Sequence, residues 1–190
     1  VAQTSPADRV MEVLRPEKIE KLGEGRYRID FGEEISGWVH LHDVTGEAGQ
    51  RIDIRYLCES PNGSNSYTMR GGAPESYHTR FTWYVFREVE IDGWPGELSP
   101  GQITAEAVYT DVSSTGRFEC SNPLFNRINR IWRRSQTDNM HGCIASDCPH
   151  RERSAYTGDG QVACVTVMHN FDAAAFYSKW IRDIWGAQNV

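Results

Sequence analysis

The chain has 190 residues, of which 39% are hydrophobic and 24% are charged, and its formal net charge is −6 at pH 7. These proportions are ordinary for a globular protein and exclude an intrinsically disordered chain. The acidic balance, without a basic block, argues against nucleic acid as a partner. No apolar run approaches the roughly 18 residues of a membrane span, so no membrane partner is predicted.

Short β-rich runs separated by turn residues occupy the first part of the chain. In the run 51–56, apolar residues alternate with charged ones, which predicts a strand with one buried and one solvated face. Gly32 and the polar stretch 61–66 are expected to form a turn and a loop. Residues 1–111 are therefore predicted to form an antiparallel β-sandwich with strands at 27–31, 37–42, 51–56, 67–70, 79–91 and 103–109.

The signals change after a polar linker at residues 112–121. Ser121 or Asn122 can cap a helix, and Pro123 stands where the first helical residue would be, a position that favours proline. Apolar residues then recur at helical spacing, which predicts a first helix that ends near Gly142.

Two more amphipathic helices are predicted, at about 160–169 and 172–185. The fold class is thus multi-domain, with a β-sandwich followed by a helical region at residues 122–190. Because the apolar faces of three helices alone lack partners, we expect the natural protein to continue beyond Val190.

The cysteines give no metal or disulfide pattern. They form no CxxC pair and no zinc spacing, and their odd number leaves at least one unpaired. We therefore predict free thiols, no metal site and no cofactor. The five cysteines are Cys58, Cys120, Cys143, Cys148 and Cys164.

The stretch from Ser146 to Gln161 is predicted to be an active-site loop, since it is rich in charge, proline and glycine and fits neither a helix nor a strand pattern. Clustered carboxylates repel one another, so one is pushed towards its protonated form while arginines keep another ionised. Each acid alone fits a turn former, an ion-pair partner or a helix cap, but together they suit glycoside hydrolysis, which needs an acid and further carboxylates around a sugar. The charged residues of this stretch are Asp147, Arg151, Glu152, Arg153 and Asp159.

Cys148 offers a rival chemistry, as a nucleophile with His150 as its base. Pro149 lies between them, and the chain carries no nucleophile-elbow or protease signature. The carboxylate interpretation is therefore preferred.

The segment Asp-Cys-Pro-His-Arg-Glu-Arg from Asp147, continued by Tyr-Thr-Gly-Asp to Asp159, resembles the signature of bacterial α-L-rhamnosidases of glycoside hydrolase family 78. Other stretches resemble the β-sandwich and the first catalytic helix of that family. They are residues 30–32, 36–39, 80–82, 86–89 and 116–124. The resemblance implies a catalytic (α/α)6 barrel, six helical hairpins in a ring, of which this chain would hold only the first helices.

Site roles follow from the resemblance residue by residue. Glu152 matches the general acid, and Asp147, Arg151 and Asp159 match groups that bind the rhamnose hydroxyls. Tyr156 stands where the family commonly has tryptophan. Many members have Asp-Glu where this chain has Glu152 alone, so the match of Glu152 with the acid includes a one-residue gap.

The family inverts configuration at the anomeric carbon, which requires a second carboxyl group as general base to activate water. No residue here matches that base, so we expect it downstream of Val190 and expect this excerpt alone to be inactive. The implied reaction is removal of terminal α-L-rhamnose from glycosides or polysaccharides, without a metal or an organic cofactor.

Two alternatives remain open. The sandwich could be a non-catalytic carbohydrate-binding module, because flat aromatic rings, 11% of this chain, stack on sugars. The helices could also belong to a six-hairpin enzyme that acts on another sugar. The expected partner in the first interpretation is a rhamnose-containing oligo- or polysaccharide. No signal segment follows Val1, and for a polysaccharide-degrading parent we expect the periplasm or secretion rather than the cytoplasm.

Overall fold

The computed structural model describes residues 5–58, 61–151, 153, 154 and 156–188. Those residues contain ten β-strands, three α-helices and one short 3₁₀ helix at Pro100–Gln102. The strands are β1 (Asp8–Leu14), β2 (Lys18–Gly23), β3 (Arg26–Val44), β4 (Arg51–Leu57), β5 (Pro61–Thr68), β6 (Glu75–His78), β7 (Tyr84–Asp92), β8 (Ile103–Thr110), β9 (Met140–His141) and β10 (Ile144–Ala145). The helices are α1 (Pro123–Asp138), α2 (Thr157–Asn170) and α3 (Ala174–Ala187).

The chain divides into two compact units. One is Val10–Val108, called the β unit below, and the other, called the helical unit, is Tyr109–Val190 together with Val1–Arg9. The first residues of the chain thus group with the helices, which sequence alone did not indicate. The domain limits at residues 111 and 121 stay predictions.

The long strand β3 organises the β unit, because different parts of it pair with different neighbours. Residues 27–30 pair antiparallel with both β2 and β7, and residues 37–41 pair with β8. The end of β3 pairs with β6 on its other edge. The strand order is β1-β8-β3-β7-β4-β5, with β2 and β6 also joined to β3. The predicted antiparallel β fold followed by helices is confirmed, and β3 merges two strands that the sequence analysis kept apart.

Gly32 forms a bulge inside β3, so the turn predicted there was wrong. Its φ is +81°, in the left-handed region that glycine adopts without steric cost. The register with β7 shifts between Asp30 and Ile35, so β3 takes up the extra residues and continues. Pairing on both sides of the bulge outweighs the local turn signal.

Two other predictions about where strands lie were also wrong. Residues 61–66 were predicted to form a loop, but β5 there pairs with β4 as far as Pro61. An edge strand pairs its backbone on one side only and tolerates polar residues, and β5 ends the strand order. The strand predicted at 79–91 begins only at Tyr84, because Phe81 has a left-handed φ of +61° that interrupts the extended backbone.

Glu75, at the start of β6, holds the connection from β5 to β6. Its carboxylate accepts hydrogen bonds from the Tyr67 hydroxyl and from the backbone N–H groups of Arg70, at 3.0 Å, and Gly71, at 2.9 Å. These bonds, led by that from Tyr67, lower the pKa of Glu75 to about 2. The carboxylate therefore stays ionised deep into the acid range.

Glu75→Gln is expected to make the β unit less sensitive to acid. Because the folded-state pKa lies below the usual 4.5, the ionised carboxylate stabilises the fold above about pH 4.5, and this contribution is lost as pH falls towards 2. Urea denaturation across that range should show a steeper loss of unfolding free energy in the wild type than in the variant. Tyr67→Phe should lie between them, and equal slopes in all three proteins would contradict the assignment.

The three predicted helices are confirmed, and they follow the strands of the β unit in the chain. The Asn122 side chain accepts a hydrogen bond from the Leu124 N–H at 3.0 Å, and Pro123 is the first helical residue of α1. α1 ends at Asp138, before the predicted end near Gly142, since the chain there turns into β9. Within the described residues, no helix is both long and apolar enough to cross a membrane.

The helical unit has a core of its own, built from α2, α3 and the hairpin β9–β10. Arg133 ties α1 to it: its guanidinium lies 4.5 Å from the centre of the Phe171 ring and donates to the Asn170 side-chain oxygen at 2.8 Å. The buried core residues are Val112, Met140, Cys143, Ala145, Val167, Phe171, Ala173, Phe176, Tyr177 and Trp180.

Candidate active site

The predicted active-site segment starts directly after β10, where it is anchored to the end of α1. The Ser146 N–H donates to the Asn139 carbonyl at 3.0 Å, and the Ser146 hydroxyl donates to the Asn139 side-chain oxygen at 2.8 Å. Asn139 is the C-cap residue, directly after the last residue of α1. The segment therefore leaves the hairpin from a position that hydrogen bonds hold to a helix.

Asp147 and Arg151 flank a tight turn. The Arg151 N–H donates to the Cys148 carbonyl at 3.0 Å, which closes the turn, and Pro149 within it is buried. The Asp147 and Arg151 side chains are exposed, while Cys148 is half-buried. The turn thus presents two charged groups to solvent over an apolar base.

Tyr156 and Asp159 lie at the start of α2, so the loop predicted to run to Gln161 ends earlier. Tyr156 is the residue before the helix and is 49% exposed, and Asp159 is half-buried in the first turn. A carboxylate in the first turn is favoured by the helix dipole. Asp159 is therefore held by a regular element and not by a flexible loop.

Gly160 fixes how the first turn of α2 packs. Gly160 is buried, and an added Cβ would come within 2.0 Å of the Trp180 ring of α3. Only glycine allows this approach, so the first turn of α2, which carries Asp159, lies directly against the Trp180 ring.

Glu152, the predicted general acid, lies outside the described residues. Among the candidate residues that the structure does describe, no hydrogen bond or ion pair joins Asp147, Arg151, Tyr156 or Asp159 to another of them. Their convergence around one sugar stays a prediction.

The contact between Asp8 and His141, close to this segment, could not be predicted from the sequence. His141 is half-buried, with Nε2 3.1 Å from the Asp138 carbonyl oxygen and Nδ1 4.0 Å from a carboxylate oxygen of Asp8. Burial lowers the pKa of His141 to about 4, so its imidazole is neutral at pH 7. No local pattern could have linked Asp8 to this region, because the chain between them includes the whole β unit.

A second group of polar and aromatic side chains lies on β3 and its neighbours in the β unit. One Glu106 oxygen accepts from the Trp38 indole N–H at 2.6 Å, and the other lies 2.6 Å from His40 Nδ1. Trp38 also stacks on His78, with ring centres 5.3 Å apart. The indole N–H and the carboxylate thus have each other as hydrogen-bond partners.

No metal centre or disulfide is found in the described part of the chain. No three His, Cys, Asp or Glu side chains there are grouped so as to hold a metal ion. No disulfide joins any of the five cysteines, and Cys143 is the one that is fully buried.

Comparison with known domain families matches both units. A model of the bacterial alpha-L-rhamnosidase concanavalin-like domain matches residues 58–109. A model of the bacterial alpha-L-rhamnosidase 6 hairpin glycosidase domain matches residues 113–190. The fold and these matches define the class of protein: a β domain followed by the first helices of a six-hairpin glycosidase domain.

Individual relatives are similar to this protein along nearly the whole chain. An alpha-L-rhamnosidase of Formosa agariphila is 33% identical over 96% of it. The solved structure of alpha-L-rhamnosidase from Dictyoglumus thermophilum covers 97% of the chain at 34% identity with a TM-score of 0.90. The structure of the Streptomyces avermitilis alpha-L-rhamnosidase complexed with L-rhamnose covers 99% at 30% identity, also with a TM-score of 0.90.

The chain belongs to the bacterial alpha-L-rhamnosidase family. It spans about a fifth of the length of these relatives: 21% of the Formosa protein, 22% of the Dictyoglumus chain and 19% of the Streptomyces chain.

Proposed function

We propose that the parent of this chain is a glycoside hydrolase that removes terminal α-L-rhamnose from glycosides or polysaccharides. The observation that carries the proposal is the match over 99% of the chain, with a TM-score of 0.90, to a rhamnosidase structure that holds L-rhamnose. The match includes the segment from Asp147 to Asp159, where the residue types suit sugar recognition. Carboxylates and guanidinium groups form paired hydrogen bonds with vicinal hydroxyls, and an aromatic ring stacks on the apolar face of the pyranose.

The roles proposed for individual residues follow the chemistry of an inverting glycosidase. Glu152 would donate its proton to the glycosidic oxygen while the bond from that oxygen to the anomeric carbon breaks. A carboxylate elsewhere in the parent would take a proton from water as the water attacks the opposite face of the sugar. The products are free rhamnose with inverted configuration and the protonated aglycone.

The remaining candidates would hold the sugar between these two groups. Asp147 and Arg151 are exposed on one turn, and they are proposed to bind rhamnose hydroxyls. Asp159, in the first turn of α2, is proposed to accept a hydrogen bond from a third hydroxyl. Tyr156, half-exposed just before that helix, is proposed to contact the sugar ring. Such groups raise kcat when their hydrogen bonds strengthen in the transition state.

The full-length parent is expected to release rhamnose from an aryl α-L-rhamnoside and to ignore a matched panel of aryl glycosides with other sugars. Proton NMR of the first product should show the β-anomer, because inversion converts an α-linkage into a β-product. Cleavage of a different sugar would overturn the rhamnose assignment, and α-rhamnose as the first product would overturn the inverting mechanism. Turnover of none of the glycosides would favour a carbohydrate-binding role.

A further inference from the structure

The hairpin that precedes the candidate site contains a strained turn. β9 and β10 are joined by Gly142 and Cys143, since His141 pairs with Ile144. Both turn residues have left-handed φ angles, 60° for Gly142 and 56° for Cys143, as in the two-residue hairpins whose twist matches the strands. Glycine adopts this backbone freely, but a residue with a Cβ does so at a cost. The turn therefore depends on contacts from outside the hairpin.

Asp8 supplies the main contact. The two oxygens of its carboxylate lie 2.8 and 2.9 Å from the Gly142 N–H, which donates to them. One of these oxygens also accepts from the Thr110 hydroxyl at 2.8 Å, and that hydroxyl in turn accepts from the Cys143 N–H at 3.2 Å. Asp8 thus binds one turn amide directly and the other through Thr110.

The rest of the N-terminal segment reinforces this contact. The Cys143 thiol donates to the Pro6 carbonyl at 3.3 Å, and the Ala7 carbonyl accepts from the Asp111 N–H at 3.0 Å. Thr110 and Cys143 are fully buried, so bonds lost here would leave polar groups without water. Residues 6–8 therefore serve as a brace for the turn, and all of these groups belong to the helical unit.

The brace acts on the candidate site through a short connection. β10 ends at Ala145. The next residue, Ser146, is hydrogen-bonded to Asn139, and Asp147 is the residue after it. A shift of the turn would be passed along these few residues to Asp147 and to the turn that carries Arg151. Catalytic sites lose activity when positioning groups move by as little as about 1 Å.

We propose that Asp8 is a positioning residue for the active-site segment: its carboxylate holds the Gly142–Cys143 turn and thereby places Asp147 and Arg151 for the sugar. The residue itself touches no substrate. The inference rests on the proposed function for what the segment binds, but the brace and the loop can be tested without turnover.

The test uses the full-length parent with Asp8→Asn, which keeps the side-chain shape but removes the charge and one acceptor. Asp111→Asn is the matched control, because Asp111 forms an exposed ion pair with Arg9 at 3.3 Å and its side chain makes no hydrogen bond to the hairpin. Trypsin cleavage after the exposed Arg151 and Arg153 reports on the loop well below the unfolding temperature. Calorimetric titration with L-rhamnose reports on the sugar site.

Asp8→Asn is expected to speed trypsin cleavage at these arginines by about tenfold or more and to weaken L-rhamnose binding and kcat/KM by about 10- to 100-fold. Asp111→Asn should match the wild type in all three. A variant that only lowers Tm, with native-state cleavage and rhamnose affinity unchanged, would overturn the proposal and leave Asp8 a purely structural residue.

The two proposals fail in different ways. If the wild-type parent neither binds L-rhamnose nor cleaves rhamnosides, the proposed function fails, and the trypsin assay still decides whether Asp8 holds the loop. Asp8→Ala, which removes every side-chain acceptor, is measured alongside Asp8→Asn, because an asparagine oxygen can still accept from the Gly142 N–H. If rhamnose is cleaved but neither variant changes cleavage by trypsin or rhamnose affinity, the positioning role fails alone.

Discussion

Glu152→Gln in the full-length parent is expected to slow the hydrolysis of rhamnosides with poor leaving groups by about 100- to 10,000-fold, the usual contribution of a general acid. Glutamine keeps the shape of the side chain but has no proton to transfer to the departing oxygen. An aryl rhamnoside whose phenolate leaves without protonation should lose much less activity. The ratio of the two losses, measured as kcat/KM on an alkyl and a nitrophenyl rhamnoside, isolates proton donation from sugar binding.

The matched control is Glu34→Gln, which removes the same charge far along the chain from the candidate segment. Glu34 is exposed in the bulged part of β3. The variant should leave both substrates unaffected. Equal losses on both substrates in Glu152→Gln would point to a binding role for Glu152. Near-normal turnover of the alkyl rhamnoside would exclude it as the acid and direct attention to Asp147 and Asp159.

Local sequence signals predicted the helices well because their determinants are local. Asn122 caps α1 through a neighbour two residues on, and Pro123 occupies the position where its missing N–H costs nothing. The long strand and its bulge were harder, because Gly32 reads as a turn until pairing partners on both sides are known. β5 was missed for the same reason: its polar residues become a strand only through pairing with β4.

The candidate site shows a similar division. The charged stretch from Asp147 to Asp159 stood out in the sequence because no regular element explains so many charges, and its resemblance to a known signature supplied the reaction. The contact proposed to position the site could not be predicted from the sequence, since Asp8 and Gly142 are 134 residues apart and meet only in the folded chain. Candidate catalytic groups can therefore be proposed from a motif, whereas a residue proposed to position them is recognised only from tertiary contacts.

Gly160→Ala is expected to destabilise the helical unit by about 1–3 kcal/mol, the usual cost of adding a methyl group to a packed contact. The new Cβ would lie 2.0 Å from the Trp180 ring, which is buried and cannot move away freely. The first turn of α2 must shift, and Asp159 shifts with it. Gly158→Ala is the stability control, because a Cβ there meets nothing within 4 Å and alanine favours the helix.

A double variant separates this clash from a general effect on α2. Trp180→Phe removes the six-membered part of the indole that the Gly160 Cβ would meet, so the combination with Gly160→Ala should be more stable than the sum of the single effects by about 1 kcal/mol or more. Urea denaturation, with native-state hydrogen exchange of the α2 amides, measures both the size and the place of the change. Additive effects would mean that the contact between Gly160 and Trp180 does not set the packing of α2. A positive coupling would show that the backbone of Asp159 is held in place by one glycine against one ring, and that the sugar-binding role proposed for Asp159 depends on a residue that never meets the sugar.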